Sequence, residues 1–356
     1  MRKCLIAAAA AGLAIATAGG AQAAPLKACW VYPGPHNDGG FSEQHDIGRQ
    51  DVQKALGDKV ETSYVESVQE GPDSQRVIER LARSGCGIVF TTSFGFMDPT
   101  LAAAQMFPNV KFEHMSGYKT APNMSTYNLR WYQGRYVMGQ IAAKVSKTGT
   151  AGYIVSFPIP EVVMGIDAFM LGAQTVNPDF KLKIIWINTW LDPGKEADAA
   201  KTLIDQGADI LVQHTDSPAA MQIAEQRKIH AFGEAADMLK FGPHAQLASL
   251  VDNWGPYYIK EVNAVLDGTW HEHQTWAGMA ENDVLVTPLK NMSDDAKKMA
   301  EGTINDIKSG KLVVFSGPVY DQDGKLVVKQ GEVMPDKDID SINFYVKGIT
   351  DKLPGK

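Results

Sequence analysis

The stretch Lys27–Gly40, KACWVYPGPHNDGG, sets the pattern on which the whole fold is built. Its apolar first half, Lys27–Tyr32, predicts a buried strand, and its second half, rich in proline and glycine, predicts a loop after that strand. An amphipathic helix from about Ser42 to Leu56 and a second apolar run, Val60–Val65, complete a strand–helix–strand unit. Strands separated by helices in this way are typical of a parallel sheet with helices on both faces.

The strand–helix alternation continues along the chain and then restarts after a long helix at Tyr132–Val145. Further strands are predicted at Gly87–Thr92, Lys111–His114, Met124–Leu129, Ala151–Phe157, Leu182–Thr189, Ile210–His214, His230–Phe232 and Gln246–Val251. A turn at Asp321–Gly324 predicts a short hairpin in the tail. The pattern therefore predicts an α/β protein made of two doubly wound parallel-sheet lobes. Ligands of such sheets bind beyond the carboxyl ends of the strands.

The amino terminus has the pattern of an export signal. Arg2 and Lys3 precede an apolar run, and Ala21-Gln22-Ala23 supplies small residues at a cleavage position. We therefore expect residues 1–23 to be a signal peptide that is cleaved near Ala23/Ala24, and the rest of the chain to be periplasmic. The apolar run is too short for a membrane span, and no later stretch reaches the required length.

Charge and cysteine content narrow the classes of partner. The 356-residue chain has a formal net charge of −7 and no basic patch, so nucleic acid is an unsuitable partner. Cys29 and Cys86 remain after signal cleavage, each beside a predicted strand. We expect two buried thiols that act as small apolar side chains, while a disulfide stays open because sequence gives no geometry.

Motifs of the common enzyme classes are missing from the chain. It has no Gly-rich phosphate loop, no Gly-x-Ser-x-Gly elbow and no His-Glu-x-x-His helix. We therefore predict a protein that is not an enzyme and needs no cofactor. His271 and His273 could share one face of a strand and hold a metal, but the polar segment beside Trp270 favours a solvated connector.

The segments that follow the predicted strands are rich in carboxylates and large aromatic side chains. Aromatic faces would stack on a planar heterocycle, and carboxylates would accept hydrogen bonds from its N–H groups. Asp98 and Asp192 each precede a proline, so they suit helix caps equally well. The candidate ligand-binding residues are Asp38, Phe41, Asp98, Trp131, Phe157, Trp190, Asp216, Glu234, Asp237 and Asp252.

The loop Asp38-Gly39-Gly40-Phe41-Ser42 resembles the Asp-x-Ser-Phe-Asn loop of the basic membrane protein family, the purine-nucleoside-binding receptors of bacterial ABC importers. Further segments resemble the family in the same order, from about Lys27 to Val262. They are Gln133–Gly139, Ile159-Pro160, the helix end Gly172…Asn177-Pro178, Asp192-Pro193 and Asp205–Asp209. The resemblance implies a type I periplasmic-binding fold and an ABC permease as partner. It also implies stacking by Phe41 and Trp190 and polar contacts by Asp38 and Asp98.

The same resemblance implies a chain that crosses three times between its lobes. We expect the first lobe to contain residues 24–130 and about 256–285, and the second to contain 131–255 and about 286–356. The hinges would lie near residues 129–131, 252–255 and 280–285. Closure of the two lobes around a ligand at these hinges would then be the working cycle.

Two departures from the family bear on the ligand. The family has Gly-Val-Asp, whose Asp holds the ribose hydroxyls, where this chain has Gly233-Glu234-Ala235. A family lysine that reaches the nucleoside is replaced by Asp252. Loss of the ribose carboxylate and gain of two acceptors favour a free purine base, adenine first, with hypoxanthine or guanine next.

Alternatives remain on the same residues. A sugar or another small solute could occupy the same fold, because carbohydrate sites also combine Trp with Asp. A ligand-sensing partner of a membrane receptor would have the same sequence features as an importer component. A periplasmic hydrolase would need paired carboxylates, for which Asp38 and Asp98 are the candidates.

Overall fold

The computed structural model describes residues 24–355, and the predicted signal peptide lies outside them. The strands are β1 (Leu26–Val31), β2 (Val60–Val65), β3 (Cys86–Thr91), β4 (Lys111–Met115), β5 (Met124–Leu129), β6 (Thr150–Val155), β7 (Lys181–Trp186), β8 (Ile210–His214), β9 (His230–Gly233), β10 (Gln246–Asp252), β11 (Gln274–Ala277), β12 (Val284–Thr287), β13 (Val319–Tyr320) and β14 (Leu326–Val328). The helices are α1 (Phe41–Leu56), α2 (Pro72–Arg83), α3 (Met97–Met106), α4 (Trp131–Val145), α5 (Pro160–Gln174), α6 (Pro193–Asp205), α7 (Ala219–Arg227), α8 (Gly255–Leu266), α9 (Asp294–Lys308) and α10 (Asp336–Ile339).

The strands form two six-stranded sheets. The first has the order β11-β5-β4-β3-β1-β2, and all of its pairs are parallel. The second has the order β12-β10-β9-β8-β6-β7, in which only β12 runs antiparallel to its neighbour. The predicted pair of doubly wound lobes is confirmed, with one antiparallel edge strand in the second. The short antiparallel hairpin β13–β14 confirms the hairpin expected in the tail.

The chain passes between the two sheets three times. It leaves the first sheet after β5, returns to it after β10, and leaves it again between β11 and β12. Because Val284 already pairs in the second sheet, the third connection ends before Val284 rather than at about residue 285. We propose the lobe division and hinges expected above, with this one shift.

The central parallel strands β1, β3, β6 and β8 are buried almost throughout, which explains their largely apolar composition. In the first lobe Trp30 stacks on Phe90, with ring centroids 4.6 Å apart, and the Tyr258 ring of α8 packs against both. A large core of this kind fixes the carboxyl ends of the strands, from which the cleft loops start.

Helices α4 and α5 of the second lobe approach each other unusually closely. A Cβ atom added at Gly139 would overlap the backbone of Phe169, and one at Gly172 would overlap the backbone of Tyr136. Only glycine allows this approach. It fixes the amino termini of α4 and α5, which carry Trp131 and Glu161, relative to each other.

Cys29 and Cys86 form a disulfide between the neighbouring strands β1 and β3, with Cα atoms 6.1 Å apart. The expectation of two free thiols is therefore wrong. The strand order places the two cysteines side by side across a gap of 57 residues, and this proximity is a tertiary property that spacing alone does not reveal. In residues 24–355 no helix has the length and apolarity to cross a membrane.

Candidate functional site

The cleft between the two lobes contains a partly open cavity at the carboxyl ends of the strands. Its unoccupied space, counted out to the opening, is about 440 Å³. The lining residues are Pro33, Phe41, Ser93, Phe94, Met115, Ser116, Trp131, Glu161, Trp190, His214, Asp216, Glu234 and Asp252. The wall therefore combines four large aromatic side chains with four carboxyl groups.

On the first lobe, the loop before α1 directs Phe41 into the cavity. The carboxylate of Asp38 accepts hydrogen bonds from the backbone N–H groups of Gly40, Ser42 and Glu43, at 2.8 to 3.0 Å. These bonds satisfy N–H groups that the first turn of a helix leaves unpaired. Asp38 thus holds the loop in shape, and Phe41 begins the helix at the cavity wall.

On the second lobe, a buried glutamate holds the loop that carries Asp216. Glu196 of α6 accepts hydrogen bonds from the hydroxyls of Thr215 and Ser217, at 3.0 and 2.7 Å. The carboxylate of Asp216 between them lines the cavity and receives no hydrogen bond from any residue in 24–355. This loop therefore presents an unpaired acceptor to the interior.

A charged pair lies at the base of the cavity. Arg135 of α4 is fully buried, and its guanidinium donates to the carboxylate of Glu234 and lies over the Tyr153 ring. The Nε2 atom of His214 lies 3.9 Å from Glu234 and 4.0 Å from Glu161. One cation thus faces several carboxyl groups, which leaves the cavity rich in hydrogen-bond acceptors.

Asp252, the last residue of β10, is buried between the lobes. Its Oδ1 atom accepts a hydrogen bond of 2.8 Å from the Trp131 indole N–H. Its Oδ2 atom and the Nδ1 atom of His214 have no hydrogen-bond partner in the described part of the chain. Buried polar atoms left unpaired cost folding free energy, so a ligand that pairs with them would gain correspondingly.

Burial governs the protonation of these groups. It raises the pKa of Glu161 to about 7, against hydrogen bonds from Ser116 and Asn128 that lower it. It likewise raises the pKa of Glu234 to about 7, although Arg135 opposes the shift. Burial also raises the pKa values of Asp216 and Asp252 well above the ordinary range of aspartate and lowers the pKa of His214.

The raised pKa of Glu161 predicts a pH-dependent stability of the closed form of the protein. The folded state binds a proton at Glu161 up to a pKa of about 7, whereas the unfolded state releases it near 4.5. Stability therefore falls as pH rises between these values. Replacing Glu161 by Gln removes this pH dependence. The free energy of unfolding of the variant, relative to that of wild type, should therefore rise by on the order of 1–3 kcal/mol from pH 5 to pH 8. Urea denaturation at both pH values measures the difference, and an equal effect of the substitution at pH 5 and pH 8 would contradict it.

The two lobes are in contact around the cavity, as in a closed state. Ser116 and Asn128 of the first lobe donate hydrogen bonds to Glu161 of the second. At the other side, Lys240 forms an ion pair of 3.2 Å with Glu43 of α1. These contacts join side chains of both lobes and hold the cavity closed.

Strained backbone conformations occur at two residues of the site. Ser116 has φ of 63°, and Ala235, directly after Glu234, has φ of 59°. Residues other than glycine seldom adopt this left-handed region, and such strain concentrates at functional sites. At Ser116 this conformation places the residue at the cavity wall. At Ala235 it turns the chain directly after Glu234, so that the Ala235 carbonyl oxygen accepts a hydrogen bond from the Asp252 N–H at the end of β10.

The structure brings together six of the ten candidate residues: Phe41, Trp131, Trp190, Asp216, Glu234 and Asp252 all line the cavity. Phe157 lies in an adjoining open groove and contacts Trp190, with ring centroids 5.3 Å apart.

Three predicted aspartates are not among the residues that line the cavity. The Asp38 carboxylate accepts hydrogen bonds from the backbone N–H groups of Gly40 and of the first turn of α1. Asp98 is exposed and pairs with Lys119 at 2.6 Å, because it lies in the first turn of α3 rather than at the end of a strand. Asp237 is exposed and accepts hydrogen bonds from Leu239 and Gln246. Asp192, by contrast, does cap α6 by accepting from Lys195 N–H.

Several lining residues were not predicted. Glu161 and His214 are the most informative of these. Glu161 adds a carboxyl group to the cavity wall, and His214 lies between Glu161 and Glu234. His214 is the last residue of β8, a position at which the same search for post-strand side chains could have found it. Glu161 lies in the first turn of α5, where an acidic residue is ordinarily explained by the helix dipole.

Comparison with known proteins gives a family match over most of the chain. The model of the family Bmp, described as "ABC transporter substrate-binding protein PnrA-like", matches residues 26–316. A purine-binding protein of Brucella abortus (strain 2308) is 59% identical over 92% of this chain and 94% of its own length. A protein of Haloferax volcanii named as a putative ABC transporter glucose-binding protein is 34% identical over 94% of this chain and 83% of its own.

Solved structures agree in fold. An ABC transporter solute-binding protein of Aeropyrum pernix K1 superposes with a TM-score of 0.71 at 17% identity, covering 81% of this chain and 93% of that one. A solute-binding protein of Conexibacter woesei DSM 14684 gives a TM-score of 0.66 at 21% identity, covering 81% and 98%. The two-lobed architecture with a cleft between the sheets is therefore that of ABC transporter solute-binding proteins.

Proposed function

We propose that this chain, which belongs to the PnrA-like family of ABC transporter substrate-binding proteins, binds a free purine base in the cavity between its lobes. Adenine is the first candidate, with hypoxanthine or guanine next. The Brucella relative named as a purine-binding protein supports this ligand class. A member of this family binds a solute for an importer, and we propose that it does so without chemical conversion of the ligand.

The observation that carries the proposal is a set of unpaired acceptors in an aromatic cavity. Asp216 presents a carboxyl group without a hydrogen bond from residues 24–355, and Asp252 presents an unpaired Oδ2 atom. A purine carries ring and exocyclic N–H donors in one plane, so it can pair with these acceptors while its faces contact the aromatic side chains. A ligand without such donors would leave the carboxyl groups buried and unpaired, which costs affinity.

The same acceptors favour a base over its nucleoside. A free purine has an N–H group in its five-membered ring, and a nucleoside has a ribose bonded in that place. In a cavity rich in acceptors the lost donor weakens binding, and the ribose must also be accommodated. Ala235 stands at the position where the family's Asp holds the ribose hydroxyls, and the neighbouring Glu234 is already paired with Arg135. Both arguments support the free base.

Stacking on Trp190 is a separate, testable part of the proposal. Trp190 follows β7 and lines the cavity from the second lobe, while Phe41 lines it from the first. Base–aromatic stacking contributes about 1–3 kcal/mol, so Trp190→Ala should weaken adenine binding by about 5- to 150-fold. The matched control is Trp190→Phe, which keeps an aromatic face and should retain most of the affinity. Calorimetric titration of both variants measures this, and equal affinities of the two would contradict a stacking role.

Hinge closure and delivery to a permease complete the proposed cycle. The lobes would open at the three connections, admit the ligand and close through contacts such as that of Ser116 with Glu161. The closed form would then dock on an ABC permease in the inner membrane. Proteins of this family act outside the cytoplasm, and the disulfide of Cys29 with Cys86 fits an oxidising compartment such as the periplasm.

A sugar is the second candidate ligand, because one relative is named as a putative glucose-binding protein. The open groove beside the cavity has polar walls at Gln69, Glu70 and Asn188, which would suit hydroxyl groups. A sugar hydroxyl can donate to a carboxylate as well, but it presents no extended planar face to Phe41 and Trp190.

A competition experiment tests the choice of ligand class. The protein is unfolded, freed of ligands, refolded and incubated with equal concentrations of adenine, adenosine and glucose. After removal of unbound molecules it is denatured, and the released molecules are identified by mass spectrometry. The proposal predicts adenine as the predominant released molecule. Predominant release of adenosine would retain the family and reject the free base, and release of glucose would reject the purine.

A further inference from the structure

Outside the cavity, the first lobe contains a buried cluster of groups that commonly bind metals. Glu113 lies on β4, Glu261 on α8, and His273 directly before β11. One donor atom of each lies within 4.8 Å of the other two, and within residues 24–355 no second group of three His, Cys, Asp or Glu side chains meets this condition. Glu113 is completely buried, and the side chains of Glu261 and His273 are 3% and 20% exposed.

The orientation of His273 suits a metal ligand. Its Nδ1 atom lies 2.9 Å from the carbonyl oxygen of His271, which can only accept, so Nδ1 carries the proton. The Nε2 atom faces Glu261 Oε1 at 3.4 Å and the Tyr257 hydroxyl at 3.5 Å, and a metal ion bound there would take the place of a proton on Nε2. Histidine ligands in metal sites are usually oriented by a hydrogen bond of this kind from the other ring nitrogen. His271 and Glu272 are exposed, as a solvated connector predicts, while His273 turns inward.

Glu261 provides an independent observation, because its buried Oε1 atom receives no aligned hydrogen bond from the described residues. His273 Nε2 lies 3.4 Å from it and Lys260 Nζ lies 3.0 Å from it, as ion pairs without the geometry of a hydrogen bond. Two ligand atoms of one tetrahedral ion lie about 3.3 Å apart when each is about 2.0 Å from the metal. The separation and the misalignment therefore fit a shared ion. Lys260 is 68% exposed and can move into solvent.

Glu113 is held in a fixed orientation by two neutral donors. The Tyr257 hydroxyl donates to Oε2 and the Trp270 indole N–H donates to Oε1, both at 2.7 Å. Each carboxylate oxygen retains a further lone pair, so these bonds do not block coordination. Carboxylate ligands of metals are typically supported by such outer hydrogen bonds.

We propose that Glu113, Glu261 and His273 form a binding site for a divalent transition-metal cation of the zinc class. One imidazole nitrogen and two carboxylates suit Zn²⁺ and its neighbours, whereas Mg²⁺ and Ca²⁺ prefer ligand sets of oxygen alone. The ion would join α8 and the segment before β11 to β4. These two elements form the part of the first lobe that lies between the second and third interlobe connections, so the ion would stabilise that lobe without entering the ligand cavity.

Zinc titration of tag-free, EDTA-treated protein tests the site. We expect one equivalent of Zn²⁺ to bind and to raise the unfolding temperature of wild type. His273→Gln should lose this binding and this shift, and Glu261→Gln should weaken both. The matched control is His271→Gln, which removes an exposed neighbouring imidazole outside the cluster and should bind Zn²⁺ as wild type does.

Two outcomes would overturn the metal site. Absence of stoichiometric binding to wild type would identify the cluster as an ordinary ion pair of His273 with Glu261. Equal binding by wild type and His273→Gln would place the ion elsewhere on the surface. Unchanged adenine binding by His273→Gln shows that this variant is folded. If it does not fold, the visible spectrum of wild type loaded with Co²⁺ decides: tetrahedral nitrogen and oxygen ligation supports the site, and the spectrum of hydrated Co²⁺ rejects it.

Discussion

Replacing Gly40 by alanine is expected to lower the affinity for adenine by about 10- to 100-fold, because the added methyl group prevents complete closure of the lobes. A Cβ atom at Gly40 would overlap the backbone carbonyl group of Asp216, which belongs to the opposite lobe. A backbone carbonyl cannot move aside as a flexible side chain can. The closed state is therefore destabilised while the open state is not, and calorimetric titration measures the difference.

The control for this prediction is Gly302→Ala, the same chemical change at a helical position of α9. No atom lies within 4 Å of a Cβ atom added at Gly302, so adenine affinity should remain at the wild-type value. Unfolding of the ligand-free Gly40→Ala protein should also stay near wild type. Wild-type affinity in Gly40→Ala would show that contact between Gly40 and Asp216 is not required for binding.

Replacing Arg135 by methionine is expected to lower the free energy of unfolding by about 3–5 kcal/mol at pH 8, because it leaves a buried carboxylate without its cation. Arg135 is completely buried and donates to Glu234, whose side chain is 6% exposed. Burial already raises the pKa of Glu234, so the variant can recover part of its stability at pH 5.5 by protonating that group. Urea denaturation of the ligand-free protein at both pH values measures the effect.

The double variant Arg135→Met with Glu234→Gln separates loss of charge pairing from loss of packing. Removal of both charges should restore most of the stability at pH 8, because replacing a buried ion pair by neutral groups is often close to neutral. If the double variant is as unstable as Arg135→Met, the loss comes from packing of the arginine against Tyr153 instead.

Most of the fold could be predicted because it depends on local periodicity. The apolar run Lys27–Tyr32 and its counterparts recur between helical segments, and each corresponds to a strand of one of the two sheets. The antiparallel direction of β12 and the pairing of Cys29 with Cys86 could not be predicted in this way. Both depend on which distant segments become neighbours, and the pattern along the chain does not contain that information.

The site was predictable where position after a strand was sufficient. Trp190, Asp216 and Asp252 reach the cavity because parallel strands bring their carboxyl ends to one edge. Asp237 follows a strand and Asp98 lies in the first turn of α3, yet both side chains turn to solvent, since the direction of a side chain depends on the exact turn geometry after the strand.

The central claim is that the cavity selects a free purine base through its unpaired carboxyl groups, and paired calorimetric titrations of ligand-free protein with adenine and adenosine test it most directly. The account predicts that adenine binds at least about tenfold more tightly than adenosine, because the nucleoside lacks one donor to the buried acceptors. The ratio of the dissociation constant of adenosine to that of adenine should be smaller in Asp216→Asn and in Asp252→Asn than in wild type. Tighter binding of adenosine by wild type would contradict the account.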